Sequence, residues 1–399
     1  MKYIIFLGDG MADEPIDSLG GKTPLQAALK PNMDKIAREG LSGSFLTLPD
    51  GFPTSSDVAN LSVLGYDLAT CYTGRGPLEA GAQGIDLAPN QIALRCNLIT
   101  VLDGVIEDYS GGHISNEDAA ELMKAMQEKF GSDKVRFYPG VSYRNLLILT
   151  GDEFSADLDY AKPDSSHGLK YAEILISPKN PAATYTADFV NNLTMRSKDI
   201  LESHPVNLRR KAKGELPANL IWPWSPGGKP ALIPFEEKYG KKGAVISAVD
   251  VIFGIAQFAG MERIKVAGAT GFVDTNYEGK AEAAIKALEK NDFVYLHVEA
   301  IDEVGHMGDL PLKIKTIEDF DRRCVGHFMN NFKGSFRAAI LPDHPVPVKK
   351  RKHTRTPVPV SICGPGINRD EIQTYDEAAC PKGALGLLKG DELMKKLFE

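Results

Sequence analysis

The chain has 399 residues, 43% apolar and 25% charged, with a formal net charge of −7. That length predicts a large α/β core carrying one further domain, and the acidic balance gives a nucleic-acid partner no electrostatic support. Cys71, Cys96, Cys324, Cys363 and Cys380 are scattered, odd in number and without a CxxC spacing, which argues against a disulfide framework or zinc knuckle and predicts a reducing, cytoplasmic setting.

The opening run KYIIFL reads as a buried strand ended by the turn residues GDG. It is too short for a secretory leader or a membrane span, and no later segment is long and apolar enough for one, so no membrane partner is expected. PNMDKIAREG predicts a helix, SGSFLTL a strand, and SSDVANLSVLGY a second helix with Ser or Asp at its cap. Residues 81–205 mix strand-like VIEDY and RNLLILTG with helix-like NEDAAELMKAMQEKFG and ADFVNNLTMRSKDILES, the pattern of a smaller α+β domain. From 206 onward the strand–helix rhythm resumes through GAVISAV, DVIFGIAQFAG, RIKVAGA, GKAEAAIKALEKN and DFVYLHV. One long helix, KIKTIEDFDRRCVGHFMNNF, and the strands FRAAILP and PVPVSICG follow. Residues 1–80 and 206–399 share one grammar, which predicts a single mainly parallel sheet with residues 81–205 inserted into it.

Ligands of open α/β sheets bind beyond the carboxyl ends of the strands. Asp9 follows the first strand, Asp302 and His306 follow DFVYLHV, and Asp343 and His344 follow FRAAILP, with His353 nine residues later. A lone aspartate after a strand is ordinarily a turn residue or a helix cap. Three such strand ends, with three of the chain's eight histidines in two post-strand loops, point instead to a pair of divalent cations. Ser55, Ser56 and Asp57 open a predicted helix. A hydroxyl there lies at the positive end of the helix dipole and serves either as a cap or as a phosphate-handling nucleophile. HExxH, GxxxxGK[ST], HRD and DFG are absent, and GDGMAD does not fit the DxD of aspartyl-phosphate enzymes.

The segments FLGDGMADEP, FPTSSDVANLSVLGYD, YTGRGPLEAGAQGIDL, GATGFVDTNYEGKAEAA, VEAIDEVGHMGDL and PDHPVPVKKRKHTRTPVPV together resemble the alkaline phosphatase superfamily. Within it they are most similar to the shorter, archaeal-type branch of the cofactor-independent phosphoglycerate mutases, along nearly the whole chain. The resemblance implies an alkaline-phosphatase-like three-layer sandwich with an inserted α+β cap. It implies that Asp9, Ser56, Asp343 and His344 hold one metal ion, Ser56 being the nucleophile, and that Asp302, His306 and His353 hold a second. Manganese is the usual ion, with magnesium, zinc and cobalt as substitutes, and 2,3-bisphosphoglycerate is not required. It further implies that phosphate passes from substrate to serine and back to a neighbouring hydroxyl, interconverting 3- and 2-phosphoglycerate.

On this reading the cap should offer cations to a small phosphorylated anion. The candidates are Arg75, His113, Arg144, Arg209 and Arg210, with Lys280 further along the chain. The basic run VKKRKHTR contains His353 and reads as the rim of an anionic site. Three departures from the related pattern bear on substrate. Ser55 stands where glycine is usual and Asn60 where histidine is usual, and LIWPWSPGGKP, with Trp222 and Trp224, has no close counterpart. A homoserine kinase-like transfer and a metal-dependent phosphomonoesterase therefore stand as alternatives. Homo-oligomerisation is left open.

Overall fold

A computed structural model describes residues 1–399. The chain divides into two compact units, Met1–Tyr72 with Ala231–Glu399, and Thr73–Pro230.

In the first unit, eight strands form one sheet in the order Glu262–Ile264, Gly243–Ile246, Phe293–Val298, Lys2–Gly8, Phe336–Leu341, Val358–Cys363, Gly40–Phe45, Gly386–Leu388. All neighbours pair in parallel except Val358–Cys363, which runs antiparallel to both of its partners. The central strands are apolar almost without interruption because both of their faces are covered. Ile4 and Phe6 pack on one face with Ile36, Ala284, Ile317 and Phe328 from the surrounding helices, while Ile5 and Leu7 on the other face are equally buried. This is the mainly parallel α/β core expected from the sequence.

Register determines where chemistry can gather. Leu7 pairs with His297 on one side and with Leu341 on the other. The three parallel strands therefore release Asp9, Glu299 and Asp343 at nearly one level, beyond their carboxyl ends.

The second unit is built on antiparallel strands. Gln91–Leu102 is central, flanked by Val105–Asp108, Arg144–Thr150 and Leu220–Gly228, with Val135–Val141 beyond Arg144–Thr150. The helices Asn116–Phe130 and Thr184–Glu202 supply Leu122, Met126, Val190 and Leu201 to its core. Both boundaries differ from those expected. The helix Arg75–Ala82 and the strand Leu220–Gly228 belong to this unit, so it begins at residue 73 and ends at 230 rather than running 81–205. The reason is strand pairing: Leu220 through Gly228 ladders onto Gln91–Leu102, with Trp222 opposite Asn97 and Trp224 opposite Arg95.

Two further expectations give way. The long helix after Asp309 is helical over Leu310–Asp319 and Gly326–Asn331, but Phe320–Val325 between them forms a wider π-helical turn. In that turn Asp321 accepts from the backbone N–H of Met33 (2.7 Å) and Asn32 (3.3 Å), two of the unsatisfied donors that open the Pro31–Arg38 helix. The segment holding Asp302 and His306 is a helix, Ala300–Met307, and not a loop.

Candidate metal centre

Two helices and two facing turns in the first unit carry six of the seven site residues, His353 lying beyond them in the chain. Helix Ala300–Met307 starts directly after the Phe293–Val298 strand and stops at Gly308, whose left-handed φ of 73° ends it. Asp302 lies in its first turn and His306 in its last, four residues apart and so on one face. Helix Ser56–Val63 has Ser55 at its cap position without a side-chain capping bond, so Ser56 is the first helical residue. Its side chain is spared for the site while it stays at the positive end of the helix. The Asp343–Val346 turn is held against the Asp9–Ala12 turn by the N–H of Val346 on the Ala12 carbonyl (3.2 Å) and of Gly10 on Asp343 Oδ1 (3.2 Å).

The seven residues singled out in the sequence come together. Ser56 Oγ is 3.1 Å from His344 Nε2, which lies 3.3 Å from Asp343 Oδ2 and 3.4 Å from Asp9 Oδ1. His306 Nε2 is 3.3 Å from Asp302 Oδ2 and 3.0 Å from His353 Nε2, and His353 Nε2 is 3.5 Å from Asp302 Oδ1. The rings of His344 and His353 stack at 3.8 Å, so the two groups adjoin.

The electrostatics call for cations. Asp9, Asp343 and His344 are fully buried and Asp302 is nearly so. Burial, and then the fields of Asp343 and Asp302, push the Asp9 carboxyl well above its usual range. Burial with the field of Asp302 pushes Asp343 up to about 7. Burial also acts on Asp302, but the His306 hydrogen bond and the nearby His344 and His353 outweigh it and bring that group to about 2. His306 rises to about 9, through its hydrogen bond to Asp302. Buried atoms without a hydrogen-bond partner include Asp9 Oδ1, Asp302 Oδ1 and His344 Nδ1. Ligand atoms of Asp9, Asp302 and His344 lie within 4.8 Å of one another, as do those of Asp302, His306 and His353. Unpartnered oxygen and imidazole lone pairs converging at a buried, repulsive carboxylate cluster fit divalent cations.

The chain is similar to known proteins along nearly its whole length. Residues 37–207 match the family described as 2,3-bisphosphoglycerate-independent phosphoglycerate mutase. A relative of that name from Methanosarcina barkeri is 48% identical over 398 residues, covering 99% of this chain and 98% of the relative. The chain belongs to the 2,3-bisphosphoglycerate-independent phosphoglycerate mutases. It is therefore an isomerase of the cofactor-independent kind. The mutase of Methanosarcina acetivorans is 46% identical, with both chains covered in full (100%). The solved cofactor-independent phosphoglycerate mutase of Thermoplasma acidophilum aligns at 30% identity and a TM-score of 0.71, covering 100% of this chain and 99% of that one. A solved Pyrococcus horikoshii protein aligns at 28% identity and a TM-score of 0.84, covering 99% and 96%. No helix of this mutase-family chain is long and apolar enough to cross a membrane.

The expected cationic residues are placed unevenly. In the second unit, Arg75 is partly buried and pairs with Glu79 (3.1 Å), and Arg144 is exposed with its guanidinium over the Tyr143 ring. The fields of both reach buried Arg95, which also pairs with Glu79 (3.0 Å). His113 is exposed in a turn at φ 50°. Arg209 is exposed and pairs with Asp118 (3.5 Å) and Glu121 (3.4 Å). Arg210 is buried and donates to the carbonyls of Leu216 (3.0 Å), Gly111 (2.9 Å) and Gly112 (3.3 Å), so its donors are committed to folding. Lys280 belongs to the first unit and is fully buried, its ammonium donating to the His297 carbonyl (3.0 Å).

Sequence reasoning missed His297. It is a fully buried imidazole one residue before the end of its strand, with Nε2 3.0 Å from Asp9 Oδ2 and Nδ1 3.2 Å from Ser247 Oγ. Burial, with Lys280 nearby, pulls it down to about 3, so it stays neutral and orients Asp9. The available signal was a histidine inside the otherwise apolar DFVYLHV.

Gly10 shows how tight the site is. It has φ 63°, and a Cβ there would lie 2.6 Å from the Asp302 Cα. Gly10→Ala should lose about 2 kcal/mol or more, from left-handed strain and the backbone clash. Denaturant unfolding measures this, and a loss below about 0.5 kcal/mol would contradict the packing.

Proposed function

We propose that this chain interconverts 3-phosphoglycerate and 2-phosphoglycerate through a phosphoserine at Ser56. Asp9, Ser56, Asp343 and His344 would hold one divalent cation, manganese being the expected ion, and Asp302, His306 and His353 a second. The observation carrying this reading is Ser56 Oγ at the first turn of its helix, 3.1 Å from His344 Nε2 and next to an aspartate cluster with unpartnered oxygens. Bound divalent ions would lower the pKa of the serine hydroxyl and neutralise the transferring phosphoryl group.

The residues themselves account for the remaining chemistry. Ser56 Oγ gives up its proton and attacks phosphorus, and the bond from phosphorus to the glycerate oxygen breaks. That oxygen takes a proton. The neighbouring hydroxyl of the same glycerate then attacks the phosphoserine and returns Ser56 to its starting state. No external phosphoryl donor enters, so atoms and charge balance within one substrate. No side chain caps the start of the Ser56–Val63 helix, so its opening N–H groups would be available to the negative charge on the phosphoryl oxygens. In the second unit, Arg75 and Arg95 both pair with Glu79, and the field of Arg144 reaches Arg95; a cationic cluster of this kind would suit a substrate carboxylate or phosphate.

Phosphorus NMR on the manganese-loaded chain with 3-phosphoglycerate alone should show 2-phosphoglycerate growing to a constant ratio. Chelation should stop the reaction and added manganese should restore it. Free phosphate as the only product would identify a phosphomonoesterase. Phosphohomoserine formed only with homoserine and ATP would identify a kinase. Either result would overturn the proposal.

A further inference from the structure

Asn60 and Tyr295 lie behind the site, and both are fully buried. Asn60 sits one helical turn after Ser56, and its Nδ2 donates to the Ser56 carbonyl (2.8 Å) and to Asp343 Oδ2 (2.8 Å). The Tyr295 hydroxyl, on the central Phe293–Val298 strand, donates to Asn60 Oδ1. A carboxamide has two ends of nearly equal size, so its direction is set only by neighbours that tell oxygen from nitrogen. Asp343 accepts on one side. Burial and the fields of Asp343 and Asp9 keep the Tyr295 phenol protonated, so it donates on the other. Both neighbours impose the same direction.

Asp343 depends on that direction. Its Oδ1 already accepts the N–H groups of Gly10 (3.2 Å) and His344 (2.8 Å). Its Oδ2, 3.3 Å from His344 Nε2, is the oxygen left to face the site, and the side-chain donor aiming it is Asn60. The same NH₂ group holds the carbonyl of the nucleophile's own residue.

We propose that Tyr295 and Asn60 act together as positioning residues: the phenol fixes the Asn60 carboxamide so that its NH₂ group ties Ser56 to the site-facing oxygen of Asp343. This rests on the function proposed above, in which Ser56 and Asp343 hold one of the two ions. Removing the phenol oxygen leaves Asn60 Oδ1 buried without a partner and frees the amide to turn, which would bring carbonyl oxygen against carboxylate.

The test is manganese titration by calorimetry alongside steady-state kinetics. Tyr295→Phe should weaken one of the two manganese sites about tenfold and lower kcat by about tenfold, with the other site and KM within about twofold of the original. Asn60→Leu should weaken the same site at least as much, and Tyr295→Phe added to it should do nothing further, because the phenol acts through the amide. Asn60→His keeps one donor and one acceptor and should return kcat to within about threefold. Manganese affinities and kcat unchanged within about twofold in Tyr295→Phe, even with a lowered Tm, would show a purely structural pair and overturn the inference, as would additive effects in the double variant. Tyr295→Phe removes a single oxygen, so it carries the test alone if Asn60→Leu does not fold. Failure of the unsubstituted chain to bind manganese or to turn over 3-phosphoglycerate would overturn the underlying reading, and this inference with it, before any substitution is made.

Discussion

Replacing Ser56 by alanine should lower mutase turnover on the order of 10⁴-fold or more while leaving the protein folded. On the proposed phosphoserine route, loss of the hydroxyl would remove the acceptor for the phosphoryl group, and the two half-transfers would lose their shared intermediate. The neighbouring hydroxyl of Ser55 stands at the N-cap position, one residue before the helix begins. The stability change should stay below about 1 kcal/mol, because one hydrogen bond at a partly buried residue is lost and His344 keeps its contacts with Asp343 and Asp9. Turnover by quench-flow and a phosphopeptide trapped from the unsubstituted enzyme check both halves. Retention of more than about a hundredth of the original rate would sink the phosphoserine route.

Lys313→Met is expected to be the most destabilising single change outside the site, costing about 3–5 kcal/mol. The ammonium of Lys313 is fully buried and has three donors. They go to Asp13 Oδ2 (3.0 Å) and to the carbonyls of Val346 (2.8 Å) and Ala12 (3.4 Å). Asp13, itself buried, also takes the N–H of Val348 (3.1 Å), while its own N–H goes to Glu377 (2.9 Å). Methionine would leave the Asp13 carboxylate charged, buried and short of its cation, with two carbonyls unsatisfied. Ala12 and Val346 each stand a few residues from a proposed metal ligand, so manganese affinity should fall with stability. Adding Asp13→Asn should recover part of the loss, since it removes the stranded charge. Denaturant unfolding of the single and double variants decides the matter. A cost below about 1 kcal/mol for Lys313→Met would mean that the pair contributes little.

The sequence singled out Asp9, Asp302, His306, Asp343 and His344 because they stand beyond apolar runs, and a parallel sheet carries the ends of such runs to one edge; His353 lies farther on, inside the basic run VKKRKHTR. Only the local form around Asp302 was misread: AIDEVGHM has helical spacing, but at eight residues it reads as a loop. The residues behind the site were hidden for a different reason. Tyr295, His297 and Lys313 lie inside elements whose apolar pattern explains itself, and their side-chain partners are remote in sequence. Asn60 and Tyr295 are 235 positions apart. The same holds in the second unit, where Arg95, Asn97 and Thr100 interrupt the central strand with polar residues whose partners are Glu79, Trp224 and Pro217. The strand that closes that sheet carries Pro223 and Pro226, which ordinarily argue against a central strand. Its pairing moved the boundary to residue 230.

The five free, buried cysteines carry a practical consequence. Cys96 lies in the core of the second unit, and Cys71, Cys324, Cys363 and Cys380 in the first. Burial pushes the thiols of Cys324, Cys363 and Cys380 up to about 12 and that of Cys71 to about 11, and raises Cys96 as well, so none is a ready nucleophile in the folded chain. An alkylating reagent can then react only as the surrounding structure opens, and the modified position records which unit opened. The native sequence thus carries its own pair of unfolding clocks, able to time the two units separately in one sample without any introduced label.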